Sequence, residues 1–191
     1  MQKRIGLKQV VDEIEEIVEG CRAGREDARK RLYTLYAKHL LAISYRYTGN
    51  MDDAYDVLHD GFVKIFTHFS YNGKGMLIGW LSKVVSAQAI DFLRKKKSFD
   101  NIYINDESLP DLSDEDAMIE QTGNVPQEVL MKFVAELPDG CRTVFNLYVF
   151  EEKSHKEIAQ LLHIKEHSST SQLHRAKTIL MEKIKAYKNY G

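Results

Sequence analysis

Ser154-His155-Lys156-Glu157-Ile158-Ala159-Gln160-Leu161-Leu162-His163-Ile164-Lys165-Glu166-His167-Ser168-Ser169-Thr170-Ser171-Gln172-Leu173-His174-Arg175-Ala176 is the stretch on which the fold turns. Ser154 and Glu157 stand at the spacing where a hydroxyl and a carboxylate close a capping box around a helix start. Ile158, Ala159 and Leu162 then line one face of a short helix. The pattern breaks over His163 to Lys165 and resumes with Leu173, Ala176, Leu180, Ile184 and Tyr187. Short helix, tight turn and longer basic helix make a helix-turn-helix signature.

Opposite the apolar stripe of the longer helix stand His167, Ser168, Thr170, Ser171, His174 and Arg175. Short polar and basic side chains are what a major-groove reader needs, because base edges are distinguished there by hydrogen bonds. A solvated surface is the commoner meaning of a polar helix face. The capping box and turn immediately ahead favour DNA.

Working outward, apolar residues recur at helical steps almost everywhere and no stretch alternates with period two, so the fold class is all-α. Val10, Ile14, Ile17 and Val18 mark a first helix. A second runs from Glu26 to Tyr47 and ends near Gly49, with Ala28, Leu32, Leu35, Tyr36, Ile43 and Tyr47 inward. Asn50 caps a third, whose core face is Ala54, Leu58, Phe62, Ile65 and Phe69. Tyr71-Asn72-Gly73-Lys74-Gly75 is a loop. A fourth helix spans about Gly79 to Lys97, burying Leu81, Val85, Ala89 and Leu93. Past a break, Pro126 opens another helix, and Val129, Phe133 and Leu137 precede Pro138. Cys141, Val144, Phe145 and Tyr148 form the next pattern.

The net charge of −1 hides an uneven distribution. Lys83, Arg94, Lys95, Lys96 and Lys97 face a single acid, Asp91, within their segment. From Asp100 to Glu120 there are eight acids and no Lys or Arg. From Lys153 onward basic residues dominate again. Two basic segments around an acidic linker fit two polyanion contacts joined by a strap that avoids DNA. In the first of them Phe69, Tyr71 and Trp80 lie near Lys74, Lys83 and the Arg94 to Lys97 run. Aromatics mixed with cations suit unpaired bases stacking along a phosphate track; Trp80 alone reads more simply as core.

Other classes find little support. Cys21 and Cys141 are far apart and read as reduced, partly buried thiols, without zinc-ligand spacing. No cofactor is implied, and no phosphate-binding glycine loop or nucleophile elbow is present, so an enzyme is not expected. The apolar runs are far shorter than the roughly 20 residues of a membrane span, and no signal-peptide pattern opens the chain. A cytoplasmic protein without membrane insertion is the expectation.

Asp53-Ala54-Tyr55-Asp56-Val57-Leu58-His59-Asp60-Gly61-Phe62-Val63-Lys64-Ile65-Phe66, then Trp80-Leu81 and Ile90-Asp91-Phe92-Leu93-Arg94, resemble region two of the extracytoplasmic-function sigma factors of bacterial RNA polymerase. Glu136-Leu137-Pro138, Ser154 to Ala159 and Leu173-His174-Arg175-Ala176-Lys177 are similar to their region four. The resemblance covers about Glu26 to Tyr187 in the family's order. Each motif is loose by itself; the ordered set is specific.

The resemblance implies two small helical domains joined by the acidic linker. Residues 1–25 would be an N-terminal helical extension, 26–98 region two, 99–125 the linker and 126–191 region four. It implies core RNA polymerase and promoter DNA as partners, with an anti-sigma factor a common further one. Asp56, His59, Asp60 and Lys64 would dock on the clamp helices of the polymerase's largest subunit. Tyr71 to Lys97 would melt and read the minus-ten element, and the last helix the minus-thirty-five element.

Four positions depart from the family pattern, one of them Thr170, which stands where the family commonly has a basic residue. Ala87 replaces the usual base-capturing Asn, which shifts minus-ten readout to the loop or to Lys83, Ser86 and Gln88. His163 occupies the usual turn glycine. Lys165 replaces the usual Ser cap and cannot accept the backbone bonds of a helix start, so the last helix is expected to begin at Ser168. The different-class alternative is a stand-alone helix-turn-helix regulator, which would bind an operator without polymerase.

Overall fold

The computed structural model describes residues 2–96 and 125–190. Lys97 and all but the last residue of the expected linker lie outside the described residues. Every regular element among the described residues is helical. No helix there is long and apolar enough to cross a membrane. The chain divides into two compact units, Met1–Ser44 with Asp52–Ala89, and Tyr45–Met51 with Ile90–Gly191.

The first unit is built from α1 (Gln2–Arg22), most of α2 (Glu26–Thr48), α3 (Met51–Thr67) and the first part of α4 (Leu77–Lys95). Its core joins Ile17, Val18 and Cys21 of α1, Ala28, Leu32 and Leu40 of α2, Val57, Leu58, Phe62 and Ile65 of α3, and Leu81, Val85 and Ala89 of α4. Asp52 and Asp53 in the first turn of α3, and Arg94 and Lys95 in the last turn of α4, complement the helix dipoles. Gly61 sits mid-helix where α3 approaches α4: a Cβ there would lie 3.0 Å from Val85 Cγ2.

Three core expectations are corrected. Leu35 is exposed and Leu40 is buried instead, because the α2 stripe is centred nearer Ile43 and Leu35 falls on its outer edge. Phe69 lies beyond α3, which ends at Thr67, and packs edge-on against Trp80 with ring centroids 5.3 Å apart. The fourth helix begins earlier than Gly79, at Leu77, because Leu77 itself is buried and anchors the first turn.

The second unit carries α5 (Gln127–Ala135), α6 (Asp139–Phe145), a π-helical turn (Asn146–Phe150), α7 (His155–Leu162) and α8 (Glu166–Tyr190). Pro126 and Pro138 are the N-cap residues of α5 and α6, one position ahead of the helices they open. Leu137, Val144, Leu147, Ile158, Leu162, Leu173, Ala176, Leu180 and Ile184 form the core.

Arg142, 4% exposed, is the polar centre of this unit. Its Nε donates to Tyr47 O at 2.7 Å, one terminal nitrogen to Ala135 O and Leu137 O at 2.9 and 2.6 Å, and the other to Thr48 O at 3.0 Å and to Asp139. The last carbonyls of α2 and α5 lack helical partners, and one guanidinium satisfies both ends. Asn146 adds a bond from Nδ2 to Arg46 O at 2.8 Å, and the Arg46 guanidinium lies 4.0 Å from the Phe150 ring centre.

Candidate nucleic-acid interface

The helix-turn-helix is closed by local chemistry. Ser154 Oγ accepts from Glu157 N, and the Glu157 carboxylate accepts from Ser154 N at 2.8 Å, completing the expected capping box. Ser154 Oγ also donates to Glu157 Oε2 at 2.6 Å, and this bond, followed by the one from Ser154 N, holds the Glu157 carboxyl below the usual carboxylate range. The turn is made by His163 in the left-handed conformation, φ 56°, with its N–H bonded to Ala159 O.

Helix α8 starts at Glu166, not at Ser168 as the missing cap suggests. The Lys165 carbonyl accepts from Ser168 N at 3.0 Å and Ser169 N at 3.2 Å. Backbone bonds and the buried Ser169 therefore begin the helix where a side-chain cap is lacking. The joint is pinned inside by His155, whose Nδ1 lies 2.9 Å from Ser169 Oγ and whose ring stacks on Tyr148 at 4.9 Å. Burial lowers the His155 pKa below its ordinary value.

On the outer side of α8, His167 and Thr170 are exposed, while Ser168, Ser171, His174 and Arg175 are half-buried. Thr170 Oγ1 donates to Glu166 O at 3.3 Å and Ser171 Oγ to His167 O at 3.1 Å. Each hydroxyl oxygen keeps lone pairs with which to accept from a base amino group. His174 Nε2 is buried without a hydrogen-bond partner. On the inner side, Cys141 Sγ donates to Gln172 Oε1 at 2.9 Å, and burial pushes the thiol up to about 11.

The second surface lies in the first unit, around the loop before α4. A cavity of about 290 Å³ opens there, lined by Tyr71, Asn72, Lys74, Met76, Trp80 and Lys83 among others. Tyr71 OH donates to Gly75 O at 2.5 Å and Asn72 Oδ1 accepts from Lys74 N at 3.0 Å, giving the loop two internal ties. Gly73 and Gly75 take φ of 79° and 74°, the left-handed values that glycine reaches without strain. The Tyr71 and Trp80 ring centroids lie 5.8 Å apart. Met76 is 77% exposed at the rim. An aromatic wall beside two lysines can stack a base and pair its phosphate.

Not every sequence candidate reaches that surface. Ser86 is buried, turned into the packing of α4 and unavailable to DNA. Gln88 Nε2 donates to Asp60 Oδ2 at 3.3 Å, which joins a residue expected to read DNA to one expected to touch polymerase. Arg94 pairs with Asp91 at 3.6 Å and donates to the Leu161 carbonyl. Lys95 and Lys96 are exposed, with Lys96 Nζ 5.8 Å from the Phe92 ring centre. On α3, Asp56, His59, Asp60 and Lys64 are all exposed, and Tyr55 and Val63 present apolar surface beside them.

Periodicity did not reveal two contacts that shape these surfaces. One is the His155–Ser169 joint; the other is Arg22 of α1, whose guanidinium donates to Tyr71 O at 2.7 Å. Both span residues far apart in the chain and leave no spacing signal.

Most of the chain's length matches known proteins. The Sigma-70 region 2 family matches residues 32–99 and the Sigma-70, region 4 family matches residues 127–180. The chain is 27% identical over 161 residues to the ECF RNA polymerase sigma factor SigM of Bacillus subtilis (strain 168), covering 84% of this chain and 94% of that one. It is 25% identical over 185 residues to the ECF RNA polymerase sigma factor SigW of the same organism, covering 90% and 97%. Among solved structures it is similar to the sigma factor RpoE in complex with the anti-sigma factor NepR from Bartonella quintana, with 19% identity, 82% and 96% coverage and a TM-score of 0.47. The two family matches together cover well over half of the chain. The chain belongs to the extracytoplasmic-function sigma factors, subunits that act in transcription initiation with core RNA polymerase and promoter DNA as their partners.

Proposed function

We propose that this sigma factor divides its work among three surfaces. The exposed face of α3, with Asp56, His59, Asp60 and Lys64, docks on the clamp helices of the polymerase's largest subunit. The loop and first turns of α4, with Lys74, Trp80 and Lys83, take up unpaired bases of the minus-ten element. The outer face of α8, with His167, Ser168, Thr170, Ser171, His174 and Arg175, reads the minus-thirty-five element in the major groove. Lys95 and Lys96 contribute phosphate contacts. The chain acts by binding, and phosphodiester chemistry belongs to the core enzyme.

The observation that carries this reading is the open cavity lined by Tyr71, Trp80, Lys74 and Lys83, which sets two adjacent rings and two basic side chains around one recess. Duplex reading alone would not need such a recess; a flipped base would. The test is transcription by purified chain and core polymerase from promoters randomised separately in the upstream and downstream elements. Thr170→Ala and Arg175→Ala are expected to change which upstream sequences are preferred. Neutralising Lys95 and Lys96 should weaken all promoters alike and flatten the salt dependence, because phosphate contacts carry no sequence information. An even loss across upstream sequences for the α8 variants would remove that helix from base reading.

A further inference from the structure

The N-terminal helix has no place in the division of labour above, yet it reaches the base-reading loop. Its C-terminal half is firmly seated: Ile17, Val18 and Cys21 are buried, and Arg31 of α2 pairs with Glu13 at 3.1 Å and Glu16 at 3.2 Å. The turn into α2 is tight, since a Cβ on Gly20 would stand 2.4 Å from Ala28 Cβ. From this anchored end Arg22 extends its guanidinium. One terminal nitrogen is held by Glu19 at 2.7 Å and the other donates to Tyr71 O at 2.7 Å.

Tyr71 is where the loop is most constrained. Its ring meets Trp80, its hydroxyl ties Gly75, and its carbonyl is the bond Arg22 takes. Beyond its two internal ties the rest of the loop has little packing around it: Asn72, Gly73, Lys74, Gly75 and Met76 are exposed, and a Cβ on Gly73 or Gly75 would meet nothing within 4 Å. A loop of that composition loses much conformational freedom when it closes on a base, and a brace set beforehand reduces that loss.

We infer that Arg22 is a positioning residue for promoter opening: through the Tyr71 carbonyl, α1 holds the loop in the shape that admits an unpaired base. The inference rests on the reading of that cavity as the base site. Arg22 touches no DNA itself; it acts through Tyr71. Glu19 serves by aiming the guanidinium fork, whose two ends are used at once.

The test uses holoenzyme reconstituted from the full chain and core polymerase. The probe is fork-junction DNA whose single-stranded arm carries the downstream element of a promoter this holoenzyme transcribes. Parallel probes carry an abasic site at each position of that arm. Arg22→Ala is expected to lower fork affinity about three- to ten-fold and to compress the ratio of intact to abasic binding at one position. Arg22→Lys should restore part of both, and Glu19→Gln, at a mostly exposed site that does not endanger folding, should give a smaller loss of the same kind. Core affinity and the thermal midpoint should stay unchanged. Trp80→Ala controls the cavity: if it leaves the abasic ratio untouched, the base-site reading fails and the brace with it. If Trp80→Ala compresses the ratio while Arg22→Ala and Glu19→Gln do not, the reading stands and the brace is overturned.

Discussion

Gly61 and Val85 meet where α3 touches α4, and a Cβ on the glycine would come within 3.0 Å of Val85 Cγ2. Replacing a mid-helix glycine by alanine gains about 0.5–1 kcal/mol of helix propensity. Val85 is fully buried and β-branched, so its methyl has little freedom to yield. Overpacking of this kind costs about 1–3 kcal/mol. Gly61→Ala is therefore expected to lower stability by roughly 1 kcal/mol, read as a lower urea midpoint. A higher midpoint would mean that the helices separate at little cost.

The outer face of α3 behaves differently, because its charges are exposed. Asp56→Lys with Asp60→Lys should leave the unfolding midpoint within experimental scatter, since exposed charges add little to stability. The double variant should compete poorly for core polymerase against the unmodified chain, with the deficit in association rate and strongest at low salt. Equal competition would place the docking surface elsewhere.

His163 holds the helix-turn-helix turn at φ 56°, where a non-glycine residue is strained by roughly 1–2 kcal/mol. Glycine relieves that strain but makes the unfolded chain more flexible. The net effect of His163→Gly is a gain of about 0.5–1 kcal/mol. Thermal unfolding monitored by helical circular dichroism would register it, and a loss would mean that the imidazole contributes a contact of its own.

His155 makes the same motif sensitive to acid. Its ring is kept neutral by burial, with Glu166 acting in the opposite sense and Lys177 in the same sense, so its folded pKa lies below the ordinary 6.5. On acidification the unfolded chain takes up this proton first. The stability held by the neutral ring is therefore complete above about pH 6.5 and declines as the pH falls below it. His155→Gln should remove that part of the slope between pH 7.5 and 5.5. Chemical denaturation at both values checks this, and identical slopes in variant and parent would assign the sensitivity to another histidine.

Arg142→Ala should be the most damaging of these changes. It strips the buried carbonyls of Tyr47, Thr48, Ala135 and Leu137 of a shared donor. Buried groups left unpaired cost about 1–3 kcal/mol each before relaxation, so a loss of at least about 3 kcal/mol is expected. Arg142→Lys should recover only part, since an ammonium cannot span the fork. A full-strength Lys variant would show that charge, not geometry, holds these helix ends.

The sequence by itself determined the helical class and the helix-turn-helix, because each rests on local spacing, and the family through the resemblance of its ordered motifs. A capping box needs only Ser154 and Glu157 three residues apart, and an apolar stripe needs only a period of 3.6. The aromatic and basic character of the loop was legible in composition, and the exposed acids of α3 through the resemblance. Tertiary structure decided which candidates are free to act. Ser86 is turned inward and Arg94 is occupied by Asp91 and Leu161. Leu35 yields its core place to Leu40, and α8 begins at Glu166 despite lacking a side-chain cap. The bonds from Arg22 to Tyr71, from Arg142 to two helix ends and between His155 and Ser169 belong to the same class. Each joins groups whose separation along the chain carries no period, so they exist only once packing has brought a donor to a buried acceptor.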